Sequence, residues 1–515
     1  MVHPTDEQTQ AVEKFQTARL LKIAAFAGTG KTSTLILMAQ SRKSKGLYLA
    51  FNKAIATEAQ ERFPPTVNCR TTHSLAYRAV LPSYGSSDKL TGSISAPKLA
   101  DLARFPTRSF GNLSLNGVQQ AHLVLSTITR FCQSMDRDIA EDHVPLEGRL
   151  MAAGTATIAE VRGWSVAKAK GVWRRMTARS HTLPMGHDGY LKLWALSDPK
   201  LNVEYVLLDE AQDTNQVVLG VLQQLSCQIV YVGDRHQQIY EWRGAVNAME
   251  KVTGCDATSL TQSFRFGEPI ARAASLVLGA LGETQRLKGN PQVKSTIMDA
   301  TAPTRAVLAR TNSGVVIELL NAMRSRRNPC VVGGTGELSR LLNDVRELKE
   351  GKPVVSAEFF GFTSWPDVVD FSESEEGKSI KTFVQLVEQH GVNKLWPAVT
   401  SVQKDESTAD VVLSTAHKAK GREWDSVRLA GDFVSTRTDV KPADHDAVCR
   451  LFYVAMTRAK RLLAVDPEQL THFTIEPKTS HRATTAGETS KQNSQAGQST
   501  APKKKRLVWK RVPIR

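Results

Sequence analysis

A short loop near the N-terminus carries the residue types that bind phosphate groups. The apolar run Leu20–Ala25 is followed by Gly28-Thr29-Gly30-Lys31-Thr32 and then by a helical pattern. Phosphates of a nucleoside triphosphate are held by inward-facing backbone N–H groups at a helix N-terminus, by a lysine and, through Mg²⁺, by a hydroxyl. The glycines permit the turn, the lysine supplies charge and the last hydroxyl faces the metal. We therefore predict a nucleotide-binding loop here, against the plainer alternative of a glycine-rich turn before a helix.

A second apolar run ends in two acids. Val206–Leu208 precedes Asp209 and Glu210. Hydrolysis of a nucleoside triphosphate needs one carboxylate to hold hydrated Mg²⁺ and another to polarise the attacking water. We predict that Asp209 shares the metal with Thr32 and that Glu210 is the general base. Alone, the pattern is equally typical of a strand that gives way to a solvated turn, but the phosphate-binding loop favours the chemical interpretation.

Further polar groups follow a third apolar run, Ile229–Val232. Gln237 is placed to bond the terminal phosphate, and Trp242 offers an indole face on which a nucleobase can stack, although ordinary packing explains an aromatic residue beside an arginine equally well. Arg265 and Arg458 are candidates for the γ-phosphate, because an arginine from a second domain stabilises transition-state charge. Chemistry alone does not distinguish these two from solvated surface arginines.

The elements that must position these residues are short β-rich runs alternating with helix-length segments. Besides Leu20–Ala25 and the run at 229–232, such runs occupy 46–51, 205–208, 306–309, 411–414 and 427–430. Alternation of this kind predicts a doubly wound α/β architecture with parallel sheets.

Two stretches interrupt that rhythm, at about 81–195 and 313–404, and both are interpreted as insertions, the first of them helical. The first contains the basic segment Val161–Ser180, which has six basic residues and no acid. Either a DNA-binding helix or a solvated basic helix face explains this segment.

An ordered series of motifs resembles the superfamily 1 helicases of the UvrD/Rep/PcrA type. The motifs are Gln8, Ala25–Thr32, Ala50–Ala54, Thr71–Ser74, Asp209–Asp213, Gly233–Gly244, Gln262–Arg265, Ala309–Asn312, Thr415–Glu423 and Tyr453–Lys460. Within that group, Phe51–Lys53, Thr72–Tyr77 and His187–Leu193 are most similar to the helicase part of F-box DNA helicases.

The resemblance implies two RecA-like P-loop NTPase domains that close on ATP. The domains implied are residues 1–80 with 196–256, and 257–312 with 405–472; the insertions lie at 81–195 and 313–404, and a basic tail expected to be disordered occupies 473–515. The second insertion looks shorter than its counterpart in larger bacterial relatives. ATP and Mg²⁺ are the implied ligands.

Residue roles are carried over motif by motif. Gln8 would read the adenine edge, Phe264 would stack on the adenine ring and Glu423 would lie near the ribose. The phosphate groups would contact Gly28, Thr29, Gly30, Lys31 and Thr32, with Gln237, Arg265 and Arg458 on the γ-phosphate. DNA would contact Asn52, His73, Trp242, Thr415 and His417.

The function expected from this resemblance is an ATP-dependent DNA helicase or single-strand translocase, moving 3′ to 5′, that serves repair, recombination or replication. Its partners would be single-stranded DNA and 3′-tailed duplexes, with a protein partner in a repair or nuclease complex. Three alternatives stay open: a translocase that strips proteins from DNA but unwinds weakly, an ATP-switched nucleic-acid-binding subunit of a larger complex, and an RNA substrate.

Charge supports a polyanionic partner. The net charge is +16 at a pI near 9.5, and residues 476–515 hold ten basic residues and two acids, half of that excess. This tail predicts a nuclear localisation signal or a DNA tether, with a solvated end as the alternative. We expect a nucleoid-associated cytoplasmic protein if the source is prokaryotic, and a nuclear one if the signal works.

The remaining sequence features indicate an intracellular protein without a membrane partner. No apolar run reaches the roughly 18 residues of a membrane span. The six cysteines are far apart and form no C-x-x-C pair, so the sequence predicts neither a zinc site nor a disulfide framework.

Overall fold

The computed structural model describes residues 3–241, 244–434 and 442–473. Trp242 and the tail beyond residue 473, both singled out by the sequence, lie outside these ranges. Within them, no helix combines the length and the apolar character needed to cross a membrane.

Sixteen strands are present in the described part of the chain. They are β1 Leu20–Ala25, β2 Gly46–Ala50, β3 Val67–Thr71, β4 Arg108–Phe110, β5 Leu113–Leu115, β6 Tyr205–Leu208, β7 Thr214–Asn215, β8 Gln228–Gly233, β9 Ala245–Val246, β10 Asp256–Leu260, β11 Thr296–Met298, β12 Ala306–Ala309, β13 Pro329–Val331, β14 Val411–Thr415, β15 Trp424–Leu429 and β16 Ala459–Ala464.

The same ranges contain twenty α-helices. They are α1 Asp6–Thr17, α2 Lys31–Gln40, α3 Lys53–Arg62, α4 Thr72–Tyr84, α5 Ser87–Thr91, α6 Ala96–Ala103, α7 Gly117–Gln133, α8 Thr155–Thr177, α9 His187–Leu196, α10 Gln216–Gln223, α11 Ala248–Lys251, α12 Glu268–Ala280, α13 Asn312–Arg324, α14 Gly336–Lys349, α15 Trp365–Ser372, α16 Lys378–His390, α17 Val392–Thr400, α18 Ala416–Ala419, α19 Pro442–Met456 and α20 Pro467–His472.

The first sheet has six parallel strands in the order β10-β1-β8-β6-β2-β3. Every residue of β2 and β6 is buried, which explains their continuous apolar sequences, because helices cover both faces of a parallel sheet. All six strands point the same way, so the segments that follow β1, β6 and β8 meet at one edge. The phosphate-binding loop, the two acids and Gln237 occupy these three segments.

The second sheet is also six-stranded and parallel, in the order β11-β16-β15-β12-β14-β13. The predicted α/β class with two parallel sheets is therefore confirmed. The two sheets share a seam, because Phe26, Ala27 and Ile239 from loops of the first sheet pack in the same apolar core as α12 and α19 beside the second. The candidate nucleotide residues lie along this seam.

Two of the predicted domain boundaries disagree with the way the strands pair. The boundary drawn at 256/257 falls inside β10, which pairs with β1 in the first sheet. The insertion drawn at 313–404 includes β13, which pairs with β14 in the second sheet. Both strands lie at sheet edges. Three of the five residues of β10 are polar and β13 has only three residues, so neither has the long apolar run that marks a central strand.

The two insertions contact each other, and one aromatic side chain is central to the contact. Phe360 comes from the second insertion, yet it is fully buried in an apolar core otherwise formed by the first, which contains β4, β5 and parts of α7 and α8. Its carbonyl oxygen accepts a hydrogen bond from the Arg149 N–H at 2.9 Å. A Cβ on Gly148 would lie 2.2 Å from that carbonyl oxygen, so the two backbones approach as closely as only glycine permits.

Candidate nucleotide site and nucleic-acid face

The phosphate-binding loop joins β1 to α2 at the carboxyl edge of the first sheet. Gly28 and Gly30 have φ angles of 73° and 77°, left-handed values that glycine adopts without strain. A Cβ on Gly28 would also lie 2.6 Å from Ser263 Oγ. The Thr29 hydroxyl donates to the carbonyl oxygen of Phe26 at 2.9 Å and closes the turn. Both predicted glycines therefore satisfy a backbone requirement of the loop.

The first residues of α2 face the two acids that follow β6. Lys31 Nζ lies 3.1 Å from Glu210 Oε1, and Thr32 Oγ1 donates a hydrogen bond to Asp209 Oδ2 at 3.1 Å. Oxygen donors are the ligands that Mg²⁺ prefers, so the hydroxyl of Thr32 and the carboxylate of Asp209 fit the predicted metal pair. Four residues predicted from separate motifs thus form one cluster.

Burial and neighbouring charges shift the pKa values of the two acids in opposite directions. Burial raises the pKa of the Asp209 carboxyl, and the charge of Glu210 raises it further, while the Tyr48 hydroxyl donates to Asp209 Oδ2 at 2.8 Å. Burial also opposes ionisation of Glu210, but the charges of Lys31 and Lys420 lower its pKa to about 2. Glu210 is therefore a carboxylate at neutral pH, the protonation state that a general base requires.

The backbone at Glu210 is unusual. Its φ of 51° is left-handed, a conformation that costs a residue with a side chain about 1 kcal/mol or more, and its N–H donates to Asp209 Oδ1 at 2.9 Å. The Gln212 amide donates to Glu210 Oε2 and accepts from the Asp234 N–H at 3.1 Å. These contacts hold the carboxylate in position between β6 and β8.

The two predicted arginines approach this cluster across the seam. Arg458, 2% exposed, donates to Gln237 Oε1 at 3.4 Å. Arg265 Nε lies 2.6 Å from Glu423 Oε2, and its Nη1 donates to the carbonyl oxygen of Thr457 at 3.0 Å. Burial, reinforced by the charge of Arg265, lowers the pKa of Arg458 to about 9. An anion beside these guanidinium groups would relieve that repulsion.

Gln8 and Phe264 flank the other side of the loop. Gln8 Nε2 donates to Thr34 Oγ1 at 3.1 Å, and the Phe264 side chain is 40% exposed. A Cβ on Gly30 would lie 3.1 Å from the Phe264 ring and 3.3 Å from Gln8 Nε2. The two residues expected at the adenine therefore lie together beside the loop, with an aromatic ring left open to solvent.

The predicted DNA contacts of the first sheet occupy helix starts beyond β2 and β3. Asn52 is exposed and caps α3, since its Oδ1 accepts from the Ile55 N–H at 2.9 Å. His73 Nε2 lies 3.3 Å from Asp188 Oδ1, and Gln133 Nε2 donates to Asp188 Oδ2 at 3.1 Å. Burial raises the pKa of Asp188, but these two hydrogen bonds more than offset that effect, so its pKa lies below the usual value. His73 is thus oriented by the first insertion.

The remaining described DNA candidates lie across the seam, at the start of α18. Thr415 is buried, and its hydroxyl accepts from the Lys418 N–H at 3.3 Å as a helix cap. The carbonyl oxygen of His417 accepts from the Tyr240 hydroxyl at 2.9 Å. Tyr240 also stacks on Phe51, which is 55% exposed, with ring centroids 6.3 Å apart. Phe51 and Tyr240 form an aromatic pair that the sequence did not single out as a DNA contact.

Other residues of the site were missed although they lie inside the quoted motifs. Lys420 pairs with Asp213 and donates to the carbonyl oxygen of Gln237 at 2.7 Å. Tyr453 bonds both Ala27 and the acid that follows β8. Their motifs were recognised, but their partners lie roughly 200 or more residues away along the chain, so local sequence offered no signal for these pairs.

Comparison with known proteins finds family matches in two segments of the chain. Residues 190–251 match the UvrD/REP helicase N-terminal domain, and residues 365–467 match the UvrD-like helicase C-terminal domain. The chain thus contains segments that match both the N-terminal and the C-terminal domain of UvrD-like helicases. The predicted resemblance is confirmed.

Curated relatives extend the similarity along most of the chain. F-box DNA helicase 1 of Gallus gallus is 30% identical over 510 residues, covering 91% of this chain and 49% of that protein. F-box DNA helicase protein 1 of Schizosaccharomyces pombe is 30% identical over 509 residues, covering 90% and 57%. A probable DNA helicase II homolog of Mycoplasma genitalium is 22% identical over 394 residues, covering 53% and 56%. The chain therefore spans about half the length of the curated relatives it matches.

Proposed function

We propose that this chain is an ATP-dependent DNA motor that moves along single-stranded DNA and separates duplexes. The observation that carries the proposal is the convergence at one seam of the Lys31–Glu210 and Thr32–Asp209 pairs with Arg458. Phosphoryl transfer depends on positioning and charge stabilisation, and this seam brings together a lysine, a hydrolytic carboxylate and a guanidinium.

The chemistry follows from the charges in the cluster. When triphosphate enters, Lys31 exchanges its contact with Glu210 for the β- and γ-phosphates, and the freed carboxylate accepts a proton from the attacking water. Thr32 and Asp209 would hold Mg²⁺, which would neutralise charge on the phosphate oxygens. Arg458 and Arg265 stabilise the charge that develops as the bond to the γ-phosphate breaks.

Movement follows from a nucleotide site that is built from both sides of the seam. Opening or closing at the nucleotide shifts α18 relative to α3 and α4, the helices whose first turns carry the DNA candidates. The exposed Phe51 and the half-buried Tyr240 lie between them as an aromatic pair. Base–aromatic stacking contributes about 1–3 kcal/mol per base without sequence preference. A 3′ to 5′ direction is supported by the resemblance.

The test is ATP hydrolysis with single-stranded DNA, duplex DNA and RNA, together with strand displacement on 3′- and 5′-tailed duplexes. We expect strong stimulation by single-stranded DNA and displacement from the 3′ tail. Lys31→Ala and Glu210→Gln should abolish both activities while DNA binding persists. DNA-stimulated hydrolysis that survives either substitution would refute the proposal, and ATP binding without DNA-stimulated turnover would favour a switched binding subunit.

A translocase that strips proteins from DNA but unwinds weakly is the second candidate, and the buried Phe360 favours it. Because that side chain fixes the second insertion to the first, the second insertion is restrained from swinging toward a duplex. Efficient displacement of a long duplex by the purified monomer would contradict this candidate, whereas fast protein displacement with slow unwinding would support it.

A further inference from the structure

Tyr453 is a buried phenol of α19 that reaches across the seam to the phosphate-binding loop. Its side chain is fully buried. The hydroxyl accepts a hydrogen bond from the Ala27 N–H at 3.1 Å and donates one to Asp234 Oδ2 at 2.8 Å. Ala27 directly precedes the first glycine of the loop, and Asp234 directly follows β8. One hydroxyl therefore joins two loops of the first sheet to a helix of the second domain.

The same helix delivers Arg458. Arg458 Nε donates to the carbonyl oxygen of Val454 at 2.8 Å, and the Thr457 hydroxyl donates to the carbonyl oxygen of Tyr453 at 2.8 Å. The Arg458 side chain is thus fixed to the end of α19, so a shift of α19 along the seam would move the guanidinium with it.

A series of side-chain hydrogen bonds, closed into a ring by the backbone at the end of α19, connects the phenol to the guanidinium. Gln237 Nε2 donates to Asp234 Oδ2 at 2.8 Å, the same oxygen that accepts from Tyr453. Gln237 Oε1 in turn accepts from Arg458 Nη2 at 3.4 Å. Because all four side chains are buried, water cannot replace a lost member of the ring without opening the seam.

We propose that Tyr453 is a positioning residue for ATP hydrolysis, whose hydroxyl sets the distance between the phosphate-binding loop and Arg458. The inference rests on the proposed function, because it assigns Arg458 to the γ-phosphate. The phenol occupies the Ala27 N–H, so the start of the phosphate-binding loop is held against α19. Without that oxygen, α19 keeps its apolar packing but loses the polar contact that fixes its place relative to the loop.

The alternative is a phenol retained only for packing, and the chain offers a matched control for it. Tyr205 in β6 is also fully buried, and its hydroxyl has no hydrogen-bond partner. Substitution by phenylalanine removes one oxygen from each site and leaves both rings in place. An effect of Tyr453→Phe that Tyr205→Phe lacks therefore reports the hydrogen bonds of Tyr453.

The experiment measures the full chain and both variants for ATP turnover with and without single-stranded DNA, and for binding of ADP and of ADP with aluminium fluoride. The second ligand mimics the γ-phosphoryl group in transit. We expect Tyr453→Phe to lower kcat about tenfold and to weaken the mimic by a similar factor, while KM for ATP and Kd for ADP change less than twofold, because only interactions realised in the transition state are lost. Tyr205→Phe should match the parent chain in every measurement.

A background lacking the arginine tests whether the phenol acts through it. Added to Arg458→Ala, Tyr453→Phe should lower the residual kcat less than twofold, since residues that act as one unit are not additive. A further tenfold loss in that background would overturn the inference. An unchanged kcat in Tyr453→Phe would also overturn it. So would a loss of ADP affinity as large as the loss of kcat, accompanied by a loss of thermal stability.

The outcomes separate this inference from the proposed function. If single-stranded DNA fails to stimulate the parent chain, the DNA motor is refuted, and Tyr453 is still judged by basal turnover and by the two ligand affinities. If the parent is stimulated and Tyr453→Phe behaves like Tyr205→Phe, the motor stands and the positioning role is wrong.

Discussion

Lys31 Nζ lies 3.1 Å from Glu210 Oε1, so the charge expected to bind phosphate is paired with the carboxylate expected to activate water. Both side chains are mostly buried, where an ion pair is screened less than at the surface. Nucleotide must compete with Glu210 for the lysine, and this competition gives the first prediction.

Glu210→Gln should bind ATP more tightly than the parent chain while losing hydrolysis. Removal of the carboxylate charge frees Lys31, so we expect Kd for ATP to fall about threefold to tenfold, or about 1 kcal/mol. Loss of the general base should lower kcat at least about 100-fold. Titration with a fluorescent ATP analogue and a phosphate-release assay measure the two quantities. Weaker ATP binding in this variant would show that the ion pair does not oppose the nucleotide; Lys31→Ala is the control that should lose binding.

Phe264→Ala should weaken nucleotide binding without changing DNA binding. The ring is 40% exposed beside Gly30, and stacking on a base contributes about 1–3 kcal/mol. We expect KM for ATP to rise at least about fivefold, with an unchanged Kd for single-stranded DNA and unchanged thermal stability. Leu276→Ala, at another exposed apolar residue, is the control. An unchanged KM for ATP in Phe264→Ala would show that Phe264 is not part of the nucleotide site.

Asp213 should give the protein a pH-dependent component of stability. Burial raises its pKa to about 6, even though Lys420 lowers it. Because the folded chain then binds this proton more tightly than the unfolded chain, the contribution of Asp213 to stability is highest below about pH 4 and decreases as pH rises to about 6. The unfolding free energy of Asp213→Asn minus that of the parent should therefore increase across this window, by about 1–3 kcal/mol.

Denaturant unfolding at intervals between pH 4 and 7 measures that difference. Asp198→Asn, which removes an exposed aspartate that pairs with Arg137, is the control variant. A difference for Asp213→Asn that decreased with pH would mean that the buried carboxyl is stabilised as an anion by Lys420.

Phe360→Ala should release the second insertion from the first. A buried phenylalanine replaced by alanine costs about 3–5 kcal/mol, and here the loss falls on the contact between insertions rather than on either sheet. Hydrogen exchange should therefore rise around β4, β5 and Phe360, while basal ATP turnover is retained. If the joined insertions restrain unwinding, strand displacement should increase; Met151→Ala, an exposed residue of the first insertion, is the control.

Removal of residues 474–515 should weaken DNA binding and reduce its dependence on salt. Residues 476–515 hold ten basic residues and two acids, and each phosphate contact that is lost reduces the slope of log affinity against log salt by about 0.9 on duplex DNA. Basal ATP turnover should be retained, because every described residue of the nucleotide site precedes this segment. An inactive truncated chain would contradict the division between motor and tail.

The parts predictable from sequence were those in which neighbouring residues carry the whole signal. A strand, a glycine-bearing loop and a helix are contiguous at Lys31, and an apolar strand leads directly to Asp209, so both the elements and the edge of the sheet followed from local pattern. The strand order, which brings these two segments together, was not predicted, because it depends on pairing between segments that are distant along the chain.

The unpredicted parts depend on contacts between distant segments. Tyr48, Lys420 and Tyr453 look like ordinary strand or helix residues until their partners are known, because burial beside a charged group is a property of the fold and not of a window of sequence. The edge strand β10 was missed for a related reason, since its polar residues are tolerated only where one side of the strand is open.

β1 pairs only with β8 and β10, so it cannot join the first sheet until those later strands have been synthesised. The partners of Leu20 and Leu21, Ile229 and Asp256, leave the ribosome roughly 200 residues later. Until then the N-terminal strand is a hydrophobic segment with both edges unpaired, a form that favours aggregation. The synthesis of this chain therefore includes a long interval in which its phosphate-binding loop has no sheet to support it.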